Sequence, residues 1–299
     1  MITADSLKIG IRQRIRDYIA ARDQYAQSVK TLCGLGLDRS GRDRFNLFAG
    51  EDVFQIVACY MDELCQMLNA EFAKGTPARI ETALLLGNAL RGREALHQGA
   101  WAADFLNPSK PFDPLKQQAY ADTILAYVER IDFEAIAAGI NAQLPALEGK
   151  GLAQIARELS LSFRFRAMAM GSYQTPLVQF KAGRVITKGG TFSGGQDNWE
   201  QFETLRAGIE RVAKDGDIAL GSGLGDLSSA IEDLSWGDAI ASRSTFGKRD
   251  ALEIRCFKDK FEYHWSRDAF DALQAFICLH GEPEVADVMM SVAALDTAA

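Results

Sequence analysis

Residues 250–281 read DALEIRCFKDKFEYHWSRDAFDALQAFICLHG, and this stretch decides the fold of the C-terminal half. Apolar side chains occupy every second position on both sides of a short polar turn, at Leu252, Ile254, Cys256, Phe261, Tyr263 and Trp265. A period of two predicts a β-hairpin. Ser266 then predicts a helix cap, and an apolar stripe predicts an amphipathic helix that ends before Gly281.

The same stretch carries a resemblance to a known family. Its first strand has the form hydrophobic-E-I-R-hydrophobic-aromatic-K, its second strand carries His264, and its helix contains FDALQAF. The run 252–276 resembles the C-terminal end of the DUF4942 family. Those proteins of unknown function are carried by plasmids, prophages and integrative elements, sometimes fused to or beside a methyltransferase. The resemblance implies an accessory protein of a mobile genetic element, phage or plasmid.

Composition favours a folded cytoplasmic protein of one large or two ordinary domains. The 299 residues are 47% apolar and 24% charged, as in soluble globular proteins. No run of about 18 apolar residues is present, so we expect no membrane span. Arginines at the N-terminus stand where a signal peptide needs its apolar region, so we expect a cytoplasmic location.

Hydrophobic periodicity divides the chain into two parts. Apolar residues recur at threes and fours through the first half, which predicts helices over 4–32 and 51–73 and from Thr76, Pro114 and Asp132 onward. The second half changes to hairpin patterns. We therefore predict an α+β protein, with an all-helical domain over 1–148 and, over 149–299, an α+β domain of β-hairpins and packed helices.

Three further segments of the second half have recognisable patterns. Leu161, Phe163 and Phe165 alternate with polar residues, which predicts a strand. Residues 176–188 predict a hairpin around Ala182 and Gly183, and residues 198–214 predict an amphipathic helix. On the second strand of the 250–281 hairpin, Glu262 and His264 fall on the face opposite Phe261, which we expect to be solvent-exposed.

Cysteines and histidines give no support to a metal centre or a disulfide framework. The five cysteines are odd in number and form no C-x-x-C pair, and only three histidines are present. We expect buried, reduced thiols and no cofactor. His264 on a strand and His280 at a helix C-terminus each have a sufficient structural explanation.

A glycine-rich run offers the sharpest candidate for ligand binding. Gly221, Gly223 and Gly225 follow an apolar stretch and precede a predicted helix, an order that suits phosphate binding at a helix N-terminus. The run resembles the glycine loop of S-adenosylmethionine methyltransferases, but Ala219 stands at the acidic position of that pattern. The competing interpretation is a flexible loop before a helix capped by Asp226. The glycines support an alternative function as a nucleotide- or S-adenosylmethionine-binding enzyme.

Charge is unevenly distributed along the chain. Residues 197–238 carry ten acidic against three basic side chains, which accounts for the net charge of −7. At the end of this segment Trp236 follows Glu232 and Asp233. An aromatic side chain among carboxylates suits a protein-binding surface, and a solvated helix face is the alternative. We therefore predict partner binding by Glu232, Asp233 and Trp236.

Basic side chains beside aromatics suggest a second alternative, nucleic-acid binding. Such side chains stack bases and hold phosphates when they share a strand face, and here they are Arg164, Arg166, Lys181, Arg184, Arg255 and Lys258. The same pattern arises in any sheet with one buried and one wet face, and the acidic net charge disfavours general coating of nucleic acid.

The sequence thus favours a non-enzymatic interaction protein over an enzyme. We expect it to bind a macromolecule of the host or of the mobile element, a protein in preference to a nucleic acid. Antagonism of host defence is one role that such binding would serve. No pattern in the chain predicts its oligomeric state.

Overall fold

A computed structural model describes residues 1–34, 51–82, 114–171, 178–181, 183–192 and 196–296 of the chain. The chain divides into two compact units, Met1–Glu148 and Gly149–Ala299, called here the first and the second unit. Helices dominate the first unit, and the second combines helices with a sheet, so the predicted α+β fold class is confirmed. Within the described residues, no helix has the length and apolarity needed to cross a bilayer.

Helices form most of the described part of the first unit. They are α1 (Ala4–Gly34), α2 (Glu51–Phe72), α3 (Pro114–Val128) and α4 (Phe133–Gln143), and a 3-10 turn at Leu144–Ala146 leads into α5 (Leu147–Ser162). Helix α1 packs against α2, α3 and α4, and its apolar stripe of Leu7, Ile11 and Ile15 is fully buried in these contacts. The Asp132 carboxylate accepts a hydrogen bond from the Ala135 N–H at 2.9 Å, which confirms the predicted start of α4.

The predicted helix from Thr76 is wrong over the residues that the structure describes. Residues 73–82 form turns, bends and irregular chain, and the rest of that predicted helix, with Leu84, Leu85 and Ala89, lies outside the described residues. Lys74 and Gly75 both have positive φ, at 47° and 79°, which ends α2. The Asn69 side chain then accepts the Ile80 N–H at 3.0 Å, so a backbone donor that a helix would have used is bonded elsewhere.

The second unit contains a five-stranded antiparallel sheet with the strand order β1-β2-β5-β4-β3. Its strands are β1 (Val178–Lys181), β2 (Arg184–Gly189), β3 (Thr245–Phe246), β4 (Leu252–Cys256) and β5 (Phe261–Trp265). Its other helices are α6 (Phe165–Ala169), α7 (Gln196–Asp215), α8 (Gly223–Glu232), α9 (Arg267–His280) and α10 (Pro283–Asp296). Both predicted hairpins and the predicted helix over 198–214 are confirmed.

The organising stretch folds as its alternation predicts. Helix α9 starts at its predicted cap, where Ser266 Oγ accepts the Ala269 N–H at 3.3 Å. Along β5, Tyr263 and Trp265 are buried, and the Trp265 indole N–H donates to Thr187 on β2 at 2.9 Å. Phe163 lies edge-on to both rings, with its ring centroid 5.1 Å from that of Tyr263.

The predicted strand over residues 161–165 is wrong. Helix α5 continues to Ser162, and α6 begins at Phe165. Arg164 between them adopts a left-handed conformation, with φ of 60° and ψ of 21°, which changes the direction of the chain. Phe163 and Phe165 are both fully buried although neither lies on a strand. The turn at Arg164 brings both side chains into the core, as the alternating faces of a strand would have done.

Candidate functional site

The glycine-rich run lies at the N-terminus of α8. Ser222 occupies the N-cap position, and its backbone N–H donates to Asp250 Oδ2 at 2.9 Å. Gly221 has a φ of 89°, and a Cβ at this position would overlap the Asp250 carboxylate. A carboxylate of the chain itself therefore occupies the helix start, where a bound phosphate would be expected to accept hydrogen bonds.

Backbone packing explains the second glycine of the run. A Cβ on Gly223 would lie 3.0 Å from Gly247 Cα and 3.1 Å from the Leu252 carbonyl oxygen. Gly247, in the connection between β3 and β4, has a φ of 63°. The two glycines let the start of α8 contact that connection backbone to backbone. Gly225 differs, because nothing lies within 4 Å of a Cβ built there.

These contacts give the glycine run a structural function. Asp226, predicted as the helix cap, lies instead in the first turn, where its carboxylate accepts a hydrogen bond from Ser222 Oγ at 2.8 Å. The structure thus places Gly221 against Asp250 and Gly223 against Gly247. The sequence did not indicate either contact, because Asp250 and Gly247 are more than twenty positions away along the chain.

Trp236 and its neighbouring carboxylates form an exposed surface just beyond the C-terminus of α8. Leu224, Leu227 and Ile231 bury the inner face of the helix, which leaves Glu232 and Asp233 exposed. Trp236 follows with 88% of its surface exposed, the largest value among the exposed large apolar side chains that the structure describes in the second unit. Asp238 is also exposed, and its N–H donates to the Ser235 carbonyl at 3.0 Å, which closes a turn around the indole.

Glu232, Asp233, Trp236 and Asp238 define this surface, which is called the tryptophan surface below. Their side chains have no partners among the described residues. In that part of the chain, no ion pair, ring contact or side-chain hydrogen bond involves any of the four. Some acidic residues earlier in the segment form ion pairs. Arg206 pairs with Glu203 at 2.8 Å, and Arg211 pairs with Asp215 at 2.9 Å. The tryptophan surface therefore carries three carboxylates that no basic side chain of the described residues neutralises.

Three of the six basic residues predicted to contact nucleic acid are engaged with other groups. Arg166 pairs with Glu282 at 3.3 Å, and Arg255 pairs with Glu253 at 2.6 Å. Arg184 Nη1 donates to the Asp250 carbonyl at 2.6 Å and thus links β2 to the start of β4. A guanidinium held in this way has fewer donors left for a phosphate.

The remaining three predicted contacts lie on separate elements. Arg164 is the left-handed residue between α5 and α6, Lys181 ends the edge strand β1, and Lys258 lies in the turn between β4 and β5. All three side chains are exposed. The sheet does not place them in one row, so the sequence pattern of basic and aromatic residues does not become a continuous basic strand face.

A charged cluster on the second face of the sheet was missed by the sequence reasoning. The register places Glu253, His264 and Ile186 side by side on β4, β5 and β2, and Arg255 beside Glu262 in the next row. The expectation that Glu262 and His264 are solvent-exposed is wrong. His264 is only 6% exposed and Glu253 only 8%. Strand alternation identified the face, but it could not show that polar side chains there are buried.

Burial and opposite charges both shift the ionisation of this cluster. Burial lowers the pKa of His264, and Arg255 lowers it further, whereas Glu262, with its Oε2 at 3.4 Å from His264 Nε2, acts in the opposite direction. Burial alone would raise the pKa of Glu253, but hydrogen bonds from Arg255 and the Arg249 N–H hold it below its ordinary value. At neutral pH these pKa directions, with that of Glu262 also lowered, favour a neutral imidazole beside ionised Glu253 and Glu262.

Stability is expected to decrease in acid because of His264. Its pKa in the folded state lies below the ordinary value of 6.5, so the unfolded chain takes up the proton first as the pH falls. Stability is full above pH 6.5 and decreases from there down to the folded-state pKa. Urea unfolding between pH 7.5 and 5 should show this decrease, and His264→Gln should remove most of it. An unchanged slope in the variant would exclude His264 as the cause.

A shallow cavity of about 370 Å³ lies in the first unit, lined in part by Arg14, Tyr60 and Met67. The guanidinium of Arg14 pairs with both carboxylate oxygens of Glu63 and lies 5.2 Å from the centre of the Tyr60 ring. Because these charges compensate each other, the cavity has no free charged group that would select a ligand.

No metal centre is found in the described part of the chain, where no group of three His, Cys, Asp or Glu side chains could hold an ion. Cys65 and Cys256 are buried, which raises the pKa of their thiols to about 11 and about 12. The expectation of buried thiols is wrong for Cys59, which is exposed.

Comparison with family models, with curated proteins and with solved structures finds no match to this chain. The resemblance of residues 252–276 to the DUF4942 family therefore stays a prediction. Only the geometry of the two units bears on function.

Proposed function

We propose that the protein is a non-enzymatic accessory protein of a mobile genetic element, and that it binds another protein through the tryptophan surface. The observation that carries this proposal is the 88% exposure of Trp236. A buried indole contributes more binding energy than almost any other side chain, and exposed tryptophans in a folded unit are therefore typical of interaction sites.

The charges beside Trp236 indicate the kind of partner. Glu232, Asp233 and Asp238 surround the indole along the chain without internal compensation in the described residues. Carboxylates repel phosphates and attract cations, so the surface suits a basic patch on a protein and disfavours nucleic acid. The engagement of Arg166, Arg184 and Arg255 within the second unit further reduces support for nucleic-acid binding.

The geometry at Gly221 and Gly223 argues against the enzyme alternative. The N–H at the start of α8 is bonded to Asp250, and the space beside Gly223 is filled by the backbone of Gly247. A nucleotide would have to displace both. The mobile-element context rests on the DUF4942 resemblance alone, and a host or element protein with a basic surface is the partner that it suggests.

Replacement of Trp236 is expected to weaken partner binding strongly without affecting stability. Loss of a central tryptophan typically costs 2 kcal/mol or more of binding free energy, which is about a 30-fold rise in Kd. The measurement is the affinity of Trp236→Ala for proteins that the wild type retains from host lysate after nuclease treatment. Leu279→Ala, at another exposed apolar residue of the second unit (76% exposed), is the matched control.

Both variants should keep the wild-type melting temperature, because both side chains are exposed. The proposal fails if Trp236→Ala retains the same proteins with the same affinity. It also fails if nuclease treatment removes everything that the wild type retains, because the ligand would then be a nucleic acid.

A further inference from the structure

The tryptophan surface lies at a helix end where negative charge is electrostatically unfavourable. Helix α8 ends at Glu232, its C-cap is Asp233, and its last turn contains no basic residue. The C-terminus of a helix carries a partial negative charge, so carboxylates there lower stability and cations raise it. Among the described residues, no side chain of the protein supplies that cation.

The exposed indole adds a second preference for a cation. Its ring face attracts ammonium and guanidinium groups, and it attracts a guanidinium most effectively when the two planes stack. Trp236 follows Asp233 by three residues, so the ring, the two carboxylates and the helix end belong to one short piece of chain. Three separate features thus favour positive charge at the same place.

Resting on the proposed function, we infer that the partner inserts an arginine side chain at the tryptophan surface. A guanidinium is planar and carries five donors, so it can stack on the indole while it donates to the carboxylates of Glu232 or Asp233. A lysine ammonium satisfies the charge but neither the stacking nor the paired hydrogen bonds. The bound arginine also places a cation at the C-terminus of α8, where the free protein has none.

The free protein offers a test of the unfavourable charge that needs no partner. The double variant Glu232→Lys and Asp233→Lys is expected to melt higher than the wild type, by about 1–4 °C, because it places two cations at a helix C-terminus. The matched control makes the same charge change near a helix N-terminus, by Glu284→Lys and Asp287→Lys on α10, where both side chains are exposed. The control should melt lower. Equal shifts in the two variants would contradict the helix-end effect.

The preference for arginine is tested with two capped tripeptides, Gly-Arg-Gly and Gly-Lys-Gly. Titration is followed by the indole N–H resonance of Trp236, which is assigned from its absence in Trp236→Phe. We expect the arginine peptide to bind at least threefold more tightly than the lysine peptide and to lose its effect in the Glu232→Lys, Asp233→Lys variant. Equal affinities, or binding that survives the charge reversal, would overturn the inference.

Retention of partner proteins from host lysate by the variants distinguishes this inference from the proposed function. If Trp236→Ala and the Glu232→Lys, Asp233→Lys variant both lose the partner, the proposed function and the arginine inference are both supported. If only Trp236→Ala loses it, the surface binds a protein but the cation inference is wrong. If neither variant loses it, the proposed function itself fails.

Discussion

Ile254→Asp is expected to unfold the second unit or to lower its stability by about 4 kcal/mol or more, because the substitution buries a charge without a partner. Ile254 is 0% exposed. Its register neighbours are Tyr263 on β5 and Phe246 on β3, and neither side chain carries a positive charge that would neutralise a buried carboxylate. Urea unfolding followed by tryptophan fluorescence reports this, because three of the four tryptophans lie in the second unit.

Gln179→Asp is the matched control, since it introduces the same side chain into the same sheet. Gln179 is exposed on the edge strand β1, so an aspartate there remains in water and should cost under about 1 kcal/mol. Equal unfolding midpoints for the two variants would remove Ile254 from the core. Glu262 is not a suitable control, because its carboxylate pairs with Lys260 at 2.8 Å and is largely buried.

Gly223→Ala is expected to lower the stability of the second unit by about 2 kcal/mol, although alanine favours helices. The new Cβ would lie 3.0–3.1 Å from backbone atoms of Gly247 and Leu252, and backbone cannot move aside as a flexible side chain can. The start of α8 would therefore have to move away from the connection between β3 and β4. The same urea unfolding experiment measures the change.

Gly225→Ala should have the opposite sign. The position lies in the same helix, a Cβ there meets nothing within 4 Å, and replacing a helical glycine adds about 0.5–1 kcal/mol of stability. Two destabilised variants, or two stabilised ones, would contradict the packing role of Gly223. A melting temperature that ATP or S-adenosylmethionine raises in the wild type would restore the ligand-binding interpretation.

Local sequence determined the elements whose signals are complete within a few residues. The alternation in residues 252–265 and the cap at Ser266 predicted β4, β5 and α9, because strand faces and helix caps depend on nearest neighbours. The same logic failed at residues 161–165. A left-handed residue between two helices orients Phe163 and Phe165 as a strand would, and nothing in the neighbouring sequence specifies a positive φ at Arg164.

The candidate residues of the site divide in the same way. The sequence shows that Trp236 lies near the carboxylates of Glu232 and Asp233. The exposure of the Trp236 side chain, however, depends on where α8 ends and on which residues pack around the indole. The glycines at 221 and 223 resembled a ligand loop because local sequence shows only that the chain can bend there. Their actual neighbours, Asp250 and Gly247, are brought to them by the fold.

The sequence by itself determined the α+β class, the two hairpins, most of the described helices and the excess of negative charge. Only the tertiary structure decided that the anion at the start of α8 is Asp250, that His264 and Glu253 are buried on the second face of the sheet, and that several basic candidates are paired. The physical reason is range. Backbone conformation and hydrophobic alternation act between neighbours, whereas burial and charge compensation depend on contacts between residues far apart in the chain.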